Sequence, residues 1–508
     1  MEIWTKEELK QIINERDEDR LYELHEQIEN SQWRCSYHVQ TVTGLMNDPN
    51  GFSFYQNQWH LFYQWFPFGA VHGMKHWYHV VSDDLVHWKN VGLCMKPTLN
   101  YENAGCFSGS GFVKDNFLYL VYTGHHNEPD GQVIEYQMIA AIDDTNHLTK
   151  LKRPIIMPQS GYTEHQRDPK IFYENEKYYI LIGAQDAEKH GKMLLYSSEQ
   201  IAAGWTFCGE LKVEGYDHFG HMVECPCIEK IGDKWLLFFC PQGIEKKENA
   251  YQNAYANVYL IGDLDLETLT FKPDTDLEEL DKGFDFYASQ TAYQKDNRGT
   301  AILAGWFGCS DYTYPSDDEG WANLVTLPRE LTIEDGKLLQ RPCKQLASLK
   351  GDVLFDAENG IVKKDILLRK MPNSCVMHLE NPSNSDIELD LFSTDLRKGF
   401  SISYKQRNGK LEISRKQLSN QINPSFGTER SVMLDTLRVL DVYVDHSAVE
   451  LFINDGEYVM SARIFPTEEE KKIRMSGKDI NLKIWNMQTS VKDDFVVFPK
   501  EEEDAAEN

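Results

Sequence analysis

The sequence predicts an all-β chain: a five-bladed β-propeller followed by a C-terminal β-sandwich, with a short helical extension in front. Three patterns carry this. Strand-like runs start at His60, Phe117, Lys177, Lys234 and Thr300, separated by 57, 60, 57 and 66 residues. A unit of that length holds four strands, the content of one propeller blade. Beyond Ser348 this repeat stops and apolar and polar residues alternate instead. Ahead of Arg34 the apolar residues fall at helical spacing.

In chain order, residues 1–33 form the predicted helical extension. Thr5 and Glu8 have capping-box spacing, and Leu9, Ile12 and Ile13 make an apolar stripe. Leu21, Leu24 and Ile28 repeat that stripe after a charged stretch. It suits packing on the main body or pairing with a second copy. The predicted propeller spans residues 34–347. Each unit opens with a motif-bearing strand: MNDPNGFSFY, CFSGSGFV, RDPKIFY, VECPCIEKI and DFYASQTAY. The apolar run follows, and in four of the five units a further strand comes after it. A sandwich with accidental spacing would have to produce five ordered copies by chance. The predicted sandwich spans residues 348–496, with runs such as DIELDLF, LRVLDVYVD and VELFIND, and Asn454-Asp455-Gly456 as a hairpin signal. Residues 497–508 read as an acidic tail, frayed from Lys500 to Asn508.

The 80 acidic residues outnumber the 52 basic ones, giving a formal charge of -28. Such a field repels phosphate backbones and anionic membrane surfaces, so neither nucleic acid nor membrane is an expected partner. A phosphorylated substrate would need a local basic pocket. Met1 to Glu8 lacks a basic start and an apolar run, so a secretory leader is not expected and the location reads as cytoplasmic. The ten cysteines, including the close pair Cys225 and Cys227, read as reduced, buried thiols. Neither a metal nor a cofactor is implied. The oligomeric state, including a homo-oligomer, is left open.

Three carboxylates stand at corresponding places in three units: Asp48 in NDPNG, Asp168 in RDP and Glu224 in VECP. Stacked repeats bring equivalent positions together, so these acids are expected to converge on one axis. Converging carboxylates are what glycoside hydrolysis requires. A turn formers' cluster or a structural ion pair would explain each motif singly. Asp48, short and on rigid backbone, is the expected nucleophile. Asp168 is expected to contact sugar hydroxyls, and Glu224 to be a general acid in an apolar cleft that raises its pKa. Phe107 and Ser108 offer sugar contacts, and Gln64, Trp77, Tyr287 and Trp306 read as channel walls or as core. His72, Lys75, His76, His125 and His126 are the local basic groups, suited to a phosphate or to scattered surface positions.

With LMNDPNG, FSGS, RDP and EC in this order, and with DFYASQT, GWFG, GWANLVTLPREL and DHSAVELFINDGE, the chain resembles the β-fructofuranosidases of glycoside hydrolase family thirty-two. The likeness runs from Tyr37 to Trp485. It implies a five-bladed propeller followed by a β-sandwich, with Asp48 as nucleophile, Asp168 as transition-state stabiliser and Glu224 as acid/base. The candidate substrate-binding set is Leu45, Met46, Asn47, Gln64, Trp77, Phe107, Ser108, Arg167, Cys225, Tyr287 and Trp306. HLFYQWFPFGAVHGMKHWYHVVSDDLVHW and GYTEHQRDPK are most similar to intracellular members acting on sucrose 6-phosphate. Leu45 and His72 stand where secreted members often carry Trp. The expected activity is retaining hydrolysis of the β-fructofuranosyl bond of sucrose 6-phosphate, a small-molecule sugar. Its rivals are cleavage of sucrose or short fructo-oligosaccharides, fructosyl transfer, and non-catalytic fructan binding. Retention predicts carboxyl groups of Asp48 and Glu224 roughly 5 Å apart.

Overall fold

Seven sheets gather the strands of the computed structural model, which describes residues 4–294, 299–360 and 365–499. Residues 1–3 of the expected extension and 500–508 of the expected tail lie outside the described residues. Five sheets are built around antiparallel meanders, with Trp321–Ala322 and Lys212–Val213 adding parallel edge strands to the first and fourth. Their leading strands are Gly44–Tyr55, Gly105–Lys114, Tyr162–Glu174, Met222–Ile231 and Tyr287–Thr291. Each pairs with the apolar run that follows it, respectively Gln58–Phe66, Phe117–Asn127, Lys177–Asp186, Lys234–Gln242 and Ala301–Phe307. These runs are rich in aromatic and β-branched residues and almost wholly buried, as strands covered on both faces must be.

The first three of these hairpins close alike. Gln56-Asn57, Asp115-Asn116 and Asn175-Glu176 take left-handed φ at both central positions, between 48° and 65°. That is the two-residue turn whose twist matches the flanking strands. The five leading strands also contact one another in cyclic order, first to second through fifth and back to first. They therefore line a common axis, with four flanking clusters of Phe, Tyr, Leu and Ile packed between neighbouring sheets.

The remaining two sheets are six-stranded and lie in residues 350–487. One apolar cluster takes side chains from both, including Met377, Val442 and Leu451 from one and Leu389, Ile402 and Ile473 from the other. Asn454, Asp455 and Gly456, all at positive φ, close the hairpin between Ala448–Ile453 and Tyr458–Arg463 as the sequence indicates.

Between the five-sheet part and the two-sheet part lies a buried charge network. Arg329, fully buried, donates to Asp281 and Glu450 at 2.8 Å each. His38 bridges Asp445 at 2.9 Å and Glu450 at 3.2 Å. Asp445 also accepts from the backbone amides of Ser36, Tyr37 and His38. The two halves are thus joined by groups that cannot reach water and must satisfy one another.

Two expectations need correction. The extension, read as helical from Thr5 to Ser31, is helical only in part: α-helices Lys6–Leu9 and Glu18–Ile28 with a 3-10 turn Glu15–Asp17 between them. The Thr5–Glu8 capping box is present. The helix breaks where it docks, because the Ile13 amide donates to His76 Nε2 and Asn14 caps the next turn. Ile13 and Leu21 are buried against the first sheet, whereas Ile12 is exposed. At the other end, Val497 is fully buried and its carbonyl accepts from the Leu93 amide at 2.8 Å. Phe495, Val497 and Phe498 pack on the first sheet's core, so this stretch, divided in the sequence reading between the sandwich and the acidic tail, belongs with the first sheet. Among the described residues no helix is long and apolar enough to cross a membrane.

Candidate active site

All five leading strands carry a β-bulge at the same place. Pairing advances three residues on the leading strand, Met46–Pro49, Cys106–Gly109, Arg167–Lys170, Glu224–Cys227 and Tyr287–Gln290, while its neighbour advances two. A bulge inserts one unpaired residue and re-aims the side chains around it. Asp168, Cys225 and Ala288, each the first bulged residue of its strand, take φ of 65°, 45° and 46°. Left-handed backbone at non-glycine residues stores on the order of 1–3 kcal/mol each and concentrates at functional positions. In this frame Glu224 precedes its bulge, Asp168 opens one and Asp48 closes one. The three acids therefore correspond to within two residues, a stagger, and not residue for residue as the sequence motifs suggest.

The bulges bring the acids together. Cys225 connects them: its amide donates to Asp168 Oδ2 at 3.0 Å, and its Sγ lies 3.7 Å from both Asp168 Oδ2 and Asp48 Oδ2. Glu224 is the preceding residue. Asp48 Oδ2 accepts the Ser108 hydroxyl and Oδ1 accepts Asn47 Nδ2 at 3.1 Å. Behind them, Gln64 accepts from Asn47 at 2.7 Å and donates to Ser108 at 2.6 Å. Gln64 and Ser108 are buried, so they orient Asp48 more than they present a surface to a sugar. Asn50 ties the first strand to the second by accepting from the Gly109 amide at 3.0 Å.

Glu224 occupies a polar pocket, which corrects the expected apolar cleft. Arg167 Nη2 donates to its Oε1 at 2.7 Å, while Gln242 Nε2 and Tyr287 Oη donate to its Oε2 at 2.7 Å each. Arg167 is shared with buried Glu135, 3.4 Å away. Burial pushes the Asp48 carboxyl above its ordinary range, opposed by the hydrogen bonds from Ser108 and Asn47. Burial also raises Asp168, with Arg167 opposing and the Glu224 and Asp48 charges adding to the rise. Anions crowded into one dry site disfavour each other, and a single guanidinium offsets only part of that.

The other candidates divide. Asn47, Arg167, Cys225 and Tyr287 bond the acids, while Trp306 stands edge-on to Tyr287 at 6.2 Å and Phe107 stacks on His125 at 4.2 Å. Leu45 shares the strand face of Asn47. Met46 and Trp77 are corrections: both are wholly buried and belong to core clusters. Alternation turns Met46 away from Asn47, and the Trp77 indole N–H donates to the Cys106 and Phe107 carbonyls at 3.2 Å, supporting the second bulge from behind. His76 anchors the N-terminal segment, and His126 bonds the Asn100 carbonyl and Glu128; neither faces the acids. Lys75 and His72 do face the site. Sequence reasoning missed Gln242, Glu135 and Asn50 as site residues. Gln242 had one usable signal, its place at the end of the strand paired with Glu224.

Residues 38–342 match the glycosyl hydrolases family 32 N-terminal domain, and residues 347–489 the family 32 C-terminal domain. A sucrose-6-phosphate hydrolase of Staphylococcus xylosus is 38% identical over 480 residues, covering 94% of this chain and 96% of that protein. One from Lactococcus lactis is 37% identical, covering 96% and 99%. Among solved structures, a sucrose-6-phosphate hydrolase from Lactobacillus gasseri superposes with a TM-score of 0.91 at 36% identity, covering 96% of this chain and 100% of that one. A mutant of a Bombyx mori family 32 β-fructofuranosidase, in complex with sucrose, gives 0.82 at 30% identity, covering 94% and 100%. With both domain families matched in order across nearly all of the chain, this protein belongs to glycosyl hydrolase family 32.

Proposed function

We propose that this chain is a retaining β-fructofuranosidase that hydrolyses sucrose 6-phosphate to glucose 6-phosphate and fructose, in the cytoplasm. The observation that carries it is the contact of Cys225 with Asp48 and Asp168, which joins the three acids in one pocket. The names and identities of the relatives support the phosphorylated substrate. The cyclic contacts of the leading strands support reading the five sheets as propeller blades across residues 34–347. The core shared by the last two sheets supports a sandwich from residue 348.

Asp48 attacks the fructosyl anomeric carbon while Glu224 gives its proton to the leaving glucosyl oxygen. Ser108 and Asn47 hold both oxygens of Asp48 for that attack, leaving one rotamer. Asp168, with the Cys225 amide on one oxygen, binds sugar hydroxyls as positive charge grows on the ring. Glu224 then takes a proton from water, which releases fructose with the original configuration.

Glu224→Gln keeps the contacts to Tyr287 and Gln242 but removes the transferable proton. Its kcat is expected to fall on the order of 10²–10⁴-fold. Steady-state kinetics on sucrose 6-phosphate checks this, and near-normal turnover in the purified variant would overturn the assignment. Parallel kcat/KM values on sucrose decide between the phosphorylated and free substrates.

A further inference from the structure

The cations around the acids differ in what holds them. Arg167 is shared by Glu135 and Glu224, Lys150 is paired with Glu102, and Lys170 bonds Thr291 with Glu229 at 4.0 Å. Lys75 is different. Its hydrogen-bond partners among the described residues are both neutral: Asn47 Oδ1 at 2.6 Å and His72 Nδ1 at 2.9 Å. Asp48 acts on it through space without an ion-pair contact.

An ammonium has three N–H donors and no acceptor, so two are used and one is free. Because the charged Lys75 can only donate, His72 Nδ1 must accept, and the ring proton lies on Nε2 at the opposite edge. Lys75 is only 6% exposed, whereas His72 is exposed and stands edge-on to Trp306 at 6.0 Å. Two directed donors, one buried and one at the mouth, therefore flank the wall of the acid pocket. Burying an ammonium without an anionic partner is unfavourable, and burial brings this one down to about 7. An arriving anion would supply the missing partner.

We propose that Lys75 and His72 form a phosphoryl-binding edge of the pocket, donating through the free ammonium N–H and His72 Nε2–H to a phosphate ester on the departing sugar. The inference rests on the reading of the substrate as sucrose 6-phosphate. In a chain of formal charge -28 such an edge has to be local, because the global field opposes any anion. Discrimination against plain sucrose follows from the same geometry: without a phosphate, Lys75 stays buried with no anionic partner in hydrogen-bond contact.

The test is the ratio of kcat/KM on sucrose 6-phosphate to that on sucrose, in the full-length protein and in His72→Leu and Lys75→Met, neither of which leaves a donor at its position. Because Lys75 also holds Asn47, the ratio within each variant is the readout and not either rate alone. Losing one charge-assisted hydrogen bond should lower the ratio on the order of 10- to 100-fold in each variant. Glucose 6-phosphate should weaken in parallel as a product inhibitor, while inhibition by fructose, which carries no phosphate, should change far less. A wild-type preference for the phosphorylated sugar that survives unchanged in His72→Leu, with its circular dichroism intact, overturns the inference and leaves the proposed function standing. No wild-type preference at all overturns the substrate reading, and the inference falls with it.

Discussion

Asp48→Asn is expected to lower kcat by about 10⁴-fold or more, the scale seen when a covalent catalytic group is removed. The reason is specific to its contacts. The amide keeps the shape of the carboxylate, and Ser108 and Asn47 remain to fix its rotamer. What disappears is the anion able to form the glycosyl bond. Asp168 with its Cys225 amide, and Tyr287, are unchanged, so sugar affinity should persist, and the loss should fall on kcat more than on binding. Turnover assays paired with calorimetric titration of sucrose 6-phosphate separate the two. Substantial turnover by the variant, shown free of wild-type contamination, would remove Asp48 from the chemistry.

The largest expected effect on stability lies far from the acids. Arg329→Met should destabilise the protein by about 3–5 kcal/mol, because Asp281 would then be buried without a cation and Glu450 would keep only His38. Methionine fills much of the volume, so the loss reports charge rather than a cavity. The same network makes a pH prediction. Burial opposes the charge on His38, but its hydrogen bonds to Asp445 and Glu450 outweigh this and raise its pKa from 6.5 to about 9. His38 therefore holds its proton more tightly folded than unfolded. Its contribution is complete below about pH 6.5 and is lost as pH rises through about 9. Urea unfolding of wild type and His38→Gln across that window should show the wild type losing stability more steeply. Parallel curves would contradict the assigned role.

How much of this was legible in sequence depended on whether local chemistry was visible. The repeat could be read because turn formers and apolar runs recur near every 60 residues, and the Thr5–Glu8 cap because its two partners are three residues apart. The bulges could not. Asp168, Cys225 and Ala288 adopt left-handed backbone without a glycine to announce it, so the stagger of the three acids was hidden. Trp77 was misplaced because its strand is buried on both faces, which erases the alternation that separates core from channel. Residues Phe495 to Phe498 were concealed by the acidic sequence around them. Arg329 and Glu450 stand 121 residues apart, and no periodicity links residues so distant.

The central claim is that Asp48, at the close of the first bulge, is the group that becomes bonded to fructose. Mass spectrometry of Glu224→Gln, acid-quenched during turnover of fructosyl fluoride, whose leaving group needs no proton from residue 224, and then digested, tests it most directly. Slowed release of the intermediate should leave one fructosyl group on the peptide that contains Asp48. A fructosyl group found instead on the peptide containing Asp168 would contradict the account.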